Sequence, residues 1–145
     1  MDKVKPIIRS RNMSRIRSKN TNPEITLRKL LFLKGFRFRI HYNIPGRPDI
    51  VFPSKKLAIF VNGCFWHGHS CEDGHIPKTN VIFWKEKIKN NKSRDDSNVR
   101  DLKQNGWNVL TFWECEIEND LGGVINTIKN IIHIAKDIRK NIIGE

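Results

Sequence analysis

Ile25, Leu27, Leu30, Leu31 and Leu33 recur at the spacing of one helical face. Thr21 and Glu24 ahead of them have the spacing of a capping box, and Pro23 suits a first helical turn, where its missing N–H costs nothing. Gly35 can take the left-handed conformation that ends a helix. From Phe36 to Ile40 the pattern alternates apolar with charged, the period of a half-buried strand. Pro45-Gly46-Arg47-Pro48 forces a turn, Asp49 to Phe52 reads as a second short strand, and residues 53–56 turn the chain again. The unbroken apolar run Leu57 to Val61 suits a central strand buried on both faces.

Residues 62–79 show no period and are rich in Gly, His and Cys. A helical pattern resumes at Asn80 through Phe83, Trp84 and Ile88, and a second piece spans 97–104, ending at Asn105-Gly106. Residues 107–113 read as a strand and 124–134 as an amphipathic helix. Helix, three strands, helix, strand and helix in that order predict an α/β fold with a mixed central sheet flanked by helices.

The chain has 145 residues, enough for one domain with a core and few for two. Its 27 Lys and Arg exceed its 15 Asp and Glu by 12, and the excess is concentrated: residues 1–39 hold twelve Lys or Arg against Asp2 and Glu24. Such a charge attracts polyanions, so nucleic acid is the first partner to weigh and an anionic membrane surface the second; a merely solvated basic face is the plain alternative. Residues 1–18 read as a basic arm ahead of a single domain over 19–145. No stretch has the length of a membrane span and the first residues lack the apolar core of a signal peptide, which predicts a cytoplasmic protein. Three cysteines in a reducing compartment leave metal binding, catalysis or burial as their uses.

Cys64, His69, Cys71 and Cys115 make a Cys₃His set of the kind tetrahedral Zn²⁺ prefers, and the set uses every cysteine in the chain. Four such ligands close the coordination sphere, so this zinc would be structural and the chemistry must lie elsewhere. Asp49 opens a strand hairpinned to 57–61. A turn cap is its plain reading, but a carboxylate there and a carbonyl near the end of the neighbouring strand could hold Mg²⁺. His67 is not needed by the zinc; it is either a solvent-facing loop residue or a base for an attacking water. Phe65, Trp66 and Trp84 are either core or apolar wedges for a base stack, with Lys85, Lys87 and Lys89 at hand for phosphates; for Phe83 the core reading is favoured.

Taken together, Arg9-Ser-Arg-Asn-Met13, Pro45-Gly-Arg-Pro-Asp49, Ile59-Phe-Val-Asn-Gly-Cys-Phe-Trp-His67, Phe83-Trp-Lys-Glu-Lys-Ile88, Asn91-Lys-Ser-Arg-Asp95 and Trp113-Glu-Cys115 resemble the very short patch repair (Vsr) endonuclease family. The resemblance implies a restriction-endonuclease-like fold in residues 19–145. It also implies a Mg²⁺-dependent nick 5′ of the thymine in a T:G mismatch left by deamination of 5-methylcytosine. It implies a monomer acting on double-stranded DNA of the bacterial nucleoid, alongside mismatch-repair proteins. Asp49 and the Val61 carbonyl would hold Mg²⁺, His67 would be the general base, and Glu24 would orient water at the metal. Phe65, Trp66 and Trp84 would enter the mismatch from the major groove, and Met13 and Ile16 of the arm from the minor groove.

Two positions depart from the family pattern. Val61-Asn62 stands where well-known members carry Thr-His; a backbone ligand survives that change, but a second catalytic histidine does not. The Lys of the general nuclease pattern is also missing, as it is in the family. Two other functions compete with this reading: a restriction endonuclease of the same fold cutting matched DNA as a dimer, which needs no wedge, and a non-catalytic zinc-stapled DNA-binding protein.

Overall fold

The computed structural model describes residues 22–65, 67, 69, 70 and 76–143, with side chains through residue 134. The basic arm with Met13 and Ile16, the Thr21 cap, Trp66 and Cys71 lie outside the described residues.

Helix α1 spans Asn22–Leu33 and buries Pro23, Glu24, Leu27 and Leu31. Leu27 and Leu31, one turn apart, face the core. Leu33, expected on the same stripe, is 81% exposed because it falls well round the helix from them. Gly35 at φ 93 ends the helix as expected. Its N–H donates to Phe32 O and the next N–H, of Phe36, to Leu31 O, each at 3.0 Å, the paired closure that a left-handed residue permits.

Residues 36–40 do not form the expected full strand. Arg39 alone bridges Val51, exchanging both backbone hydrogen bonds at 2.8 and 2.9 Å. The alternation was still meaningful, since Phe36 and Phe38 pack edge-on against Phe52. His41, at φ 54, then turns the chain away before a ladder can grow.

The sheet has three strands in the order β1 (Ile50–Phe52), β2 (Leu57–Asn62), β3 (Asn108–Trp113). β1 runs antiparallel to β2, with Ile50 opposite Ile59, and a 3₁₀ turn at Pro53–Lys55 joins them. β3 runs parallel to β2, Leu57 opposite Asn108 through Asn62 opposite Trp113. The sheet is therefore mixed, and β2 is the central strand that its unbroken apolar run predicts. Leu57, Ile59 and Val61 on one face join the core of Leu27, Leu31, Ile117, Val124, Ile125 and Ile128. Phe60 and Asn62 on the other face look across a cleft to the helix that crosses over to β3.

That crossover, α2, is one helix, Val81–Gln104, rather than two pieces. Only Ile88 and Leu102 are buried in it, so the polar middle that broke the sequence pattern is a face turned to the cleft rather than a loop. A short helix α3 (Glu114–Asn119) was not anticipated, and α4 (Leu121–Ile143) is longer than the expected 124–134. α1 packs on α3 and α2 on β3. No helix among the described residues is long and apolar enough to cross a membrane.

Gly122-Gly123 hid the start of α4, because paired glycines read as breakers. Here Asp120 Oδ1 accepts the Gly123 N–H at 3.1 Å, and a Cβ on Gly123 would collide with that carboxylate, whereas one on Gly122 would meet nothing within 4 Å. The two glycines should thus respond oppositely. Gly122→Ala should raise the unfolding free energy by a few tenths up to about 1 kcal/mol through helix propensity. Gly123→Ala should lower it by about 1 kcal/mol through loss of the cap. Urea titration of both variants checks the signs.

Candidate active site and metal centre

The N-terminal turn of α1 and the start of β1 bring two carboxylates together. Asp49 is held by its own N–H donating to Ile59 O at 2.9 Å and by the Val61 N–H donating to its Oδ2 at 2.6 Å. Glu24, 2% exposed, ion-pairs with Arg28 one turn along the helix at 2.9 Å. The two acids share a hydrogen bond, and the Asp49 carboxyl is raised to about 8. Burial is the main cause, with the bond to Glu24 and its charge adding to it, while the Val61 amide and the Arg28 guanidinium pull the other way.

These residues line a pocket of about 10 Å³, room for one water-sized body, closed by His41, Arg47 and Pro48. A buried and a half-buried carboxylate sharing a proton are a hard-oxygen donor set, and a divalent cation is the natural replacement for that proton. In a strand the N–H and C=O of one residue point to the same neighbour, so the Val61 carbonyl faces the edge where Asp49 sits. The sequence-expected Mg²⁺ ligands, Asp49 and Val61, and the expected water-orienting Glu24 are thus neighbours.

His67 lies in the loop that follows β2. Its Nδ1 pairs with Asp95 Oδ2 on α2, which leaves Nε2 as the free nitrogen. Both groups line an open cleft of about 390 Å³ with Asn62, Lys92, Thr111 and Trp113. Asp95 was quoted above only as part of a motif; no role was read for it, since nothing in the sequence links residues 28 apart. Asn62 is buried and supplies neutral N–H donors where the family pattern has an imidazole.

Beyond the cleft, Phe65 meets Trp84 edge-on at 5.2 Å, and Phe83 meets Trp84 at 5.0 Å. The core reading of Phe83 fails: it is 56% exposed, with Ile82 beside it more exposed still. The first turn of α2 therefore presents apolar side chains to solvent, followed by exposed Lys85, Lys87 and Lys89.

A third cluster joins the loop after β2 to the start of α3. The ligand atoms of Cys64, His69 and Cys115 all lie within 4.8 Å of one another, with Cys115 Sγ and His69 Nδ1 at 3.5 Å. Cys64 is fully buried, and its N–H donates to Glu114 Oε1 at 2.9 Å; His69 stacks on Trp113 with ring centres 4.2 Å apart. Two sulfurs and an imidazole at this separation fit a soft, tetrahedral metal after small movements. Glu114 is a support that the sequence reading did not single out.

Two measurements follow. Asp49 in the metal-free fold keeps a proton that the unfolded chain loses above its ordinary value of 3.8. Between that value and about 8 the folded state binds more protons, so raising the pH favours the unfolded state. With no Mg²⁺ added, the melting temperature should fall from pH 5 to 8.5, and Asp49→Asn should remove most of that fall. If the soft cluster holds zinc, elemental analysis should find it in the parental protein and not in Cys115→Ala, whose melting temperature should be lower by roughly 5–10 °C.

Comparison with known proteins bears on the same residues. The sequence model of the DNA mismatch endonuclease Vsr family matches residues 1–73. The chain is 46% identical over 132 residues to the type II nicking enzyme V.XorIIP of Xanthomonas oryzae, covering 90% of this chain and 96% of that one. It is 49% identical over 112 residues to the type II nicking enzyme V.NmeAIP of Neisseria meningitidis, covering 77% and 80%. To the DNA mismatch endonuclease Vsr of Escherichia coli it is 42% identical over 110 residues, covering 75% and 70%. With acidic, histidine and cysteine clusters built on the segments that carry the family's motifs, the chain belongs to the Vsr family and is a DNA mismatch endonuclease.

Proposed function

We propose that the chain nicks one strand of duplex DNA, 5′ of the thymine in a T:G mismatch, in a Mg²⁺-dependent reaction on a restriction-endonuclease-like core stapled by a structural zinc. The observation that carries this reading is the Glu24–Asp49 pair tied by Val61 to the end of β2, where the next residue, Asn62, lines the cleft of the His67–Asp95 pair.

Asp49 and the Val61 carbonyl would hold Mg²⁺, which when bound supplies Lewis-acid stabilisation of charge developing on the attacked phosphate. His67 Nε2, freed by the Asp95 pairing, takes a proton from the attacking water. Glu24, locked by Arg28, orients that water by accepting its hydrogen bond. Asp95 keeps the imidazole from rotating and stabilises it once protonated. Asn62 can donate a hydrogen bond to the leaving oxygen but no proton, so protonation of that oxygen falls to solvent in the open cleft.

Cys64, His69, Cys115 and, from the pattern of cysteines and histidine in the sequence, Cys71 hold zinc away from the chemistry, fixing the loop that carries Phe65, Trp66 and His67. The half-buried aromatic pair of Phe65 and Trp84, with exposed Phe83 beside it, supports mismatch recognition over cutting of matched DNA. A wedge pays to unstack a base step, and a mismatched step costs least. The chain acts as a monomer, its arm with Met13 and Ile16 reaching the opposite groove, with mismatch-repair proteins as further partners.

Separate free-energy terms make the proposal testable with two variants. Asp49→Ala should abolish nicking while changing affinity for a T:G duplex by less than about twofold, since its contribution is expressed in the transition state. Trp66→Ala should cut the preference for T:G over T:A about tenfold, of the order of one unstacking term. Affinity and single-turnover rate on both duplexes decide it; parental nicking by Asp49→Ala with Mg²⁺ would refute the site.

A further inference from the structure

We propose that Arg47, with His41 beside it, grips a backbone phosphate flanking the one that is cut. The inference rests on the nuclease reading above and adds to it the residues that seat the DNA strand over the carboxylates.

Arg47 and His41 line the same pocket as Glu24 and Asp49, and both are exposed at its rim. The third cation there, Arg28, is committed to Glu24. Among the described residues the side chains of Arg47 and His41 make no hydrogen bond or ion pair. A strand of phosphates approaching two carboxylates is repelled unless cations meet it at the rim, and these two side chains are free to do so.

The backbone beneath them reinforces the argument. Both residues are left-handed, His41 at φ 54 and Arg47 at φ 44, a conformation unfavourable for a residue with a Cβ and concentrated at functional sites. The turn itself does not demand it at Arg47. The Arg47 N–H closes on Ile44 O at 2.9 Å around Pro45 and Gly46, and a proline followed by a glycine at φ 77 satisfies a type II turn. The loop cannot relax sideways either, because a Cβ on Gly46 would lie 2.9 Å from Asn98 Cβ on α2. Glycine would suit position 47 without strain, yet the chain puts there the side chain best shaped to fork onto a phosphate.

Arg47→Gly removes the guanidinium and relieves the backbone, and Arg47→Asn removes the charge with a residue that tolerates the left-handed region; melting temperatures show that each is folded. Binding to a T:G duplex is measured with the protein as purified and no added Mg²⁺, across a salt series. Loss of one phosphate contact should weaken binding about tenfold and reduce the log–log salt slope by about 0.9, whereas Arg47→Lys should keep the slope and lose part of the affinity. His41→Gly should cost two- to threefold, as a single lost hydrogen bond to the same phosphate.

The duplex is then made with a methylphosphonate at each phosphate flanking the nick in turn. For the parental protein one substitution should weaken binding, and Arg47→Gly should lose nothing further there. Coupling at either flanking phosphate with the reduced slope supports the grip. A parental slope, or additive losses at both phosphates, overturns it. Because this assay needs no Mg²⁺ and no cleavage, it fails separately from the site itself, which falls only if Asp49→Ala still nicks.

Discussion

The hydrogen bond from the Val61 amide to the Asp49 carboxylate is the constraint on which the rest of this site depends. It can form only in the register that sets Ile50 opposite Ile59, and that register is enforced by the burial of β1 and of all but Phe60 in β2. A slip of one residue would turn Leu57, Ile59 and Val61 out of the core and Asp49 away from Glu24 together. Hydrophobic burial thus aligns two acids that would otherwise repel, and the core supplies the free energy to keep them side by side.

A second consequence of that register is the division of labour between the two faces of β2. Odd positions pack into the aliphatic core, and even positions carry Phe60 and Asn62 to the cleft where His67 meets Asp95. The strand ends and the loop with Cys64, Phe65 and His67 begins at the same point, so the soft-metal cluster sits one short step from the acidic pocket. Hard oxygen donors and soft sulfur donors are kept apart by little more than the end of one strand, and donor sets so different favour different metals.

Much of the architecture was legible because its signals are local. The unbroken run 57–61 gave the central strand, Pro23 and Gly35 the bounds of α1, and the Cys and His spacing the soft-metal cluster. What stayed hidden depends on distant partners. The strand at 36–40 shrank to one bridge because His41 bends away, and α2 looked like two pieces because its polar middle serves the cleft rather than the core. Asp95 and Glu114 could not be read, since their partners His67 and Cys64 lie 28 and 50 residues away in sequence. Asp49 drew notice by its place at the start of a hairpinned strand, whereas a role for Glu24 came only from the family likeness; no periodicity announces that a helix start and a strand start will meet.

α2 carries Trp84 near its first turn and Asp95 eleven residues on, about 16 Å apart along the axis at 1.5 Å per residue. A continuous helix between them behaves as a stiff rod. A tilt of about 5° driven at the aromatic end would move the carboxylate at Asp95 by roughly 1.4 Å over that length, more than a hydrogen bond tolerates. What meets the aromatic end therefore bears mechanically on whether His67 is held in line, and under the proposed reading the grip on a base step and the alignment of the proton acceptor would share one lever.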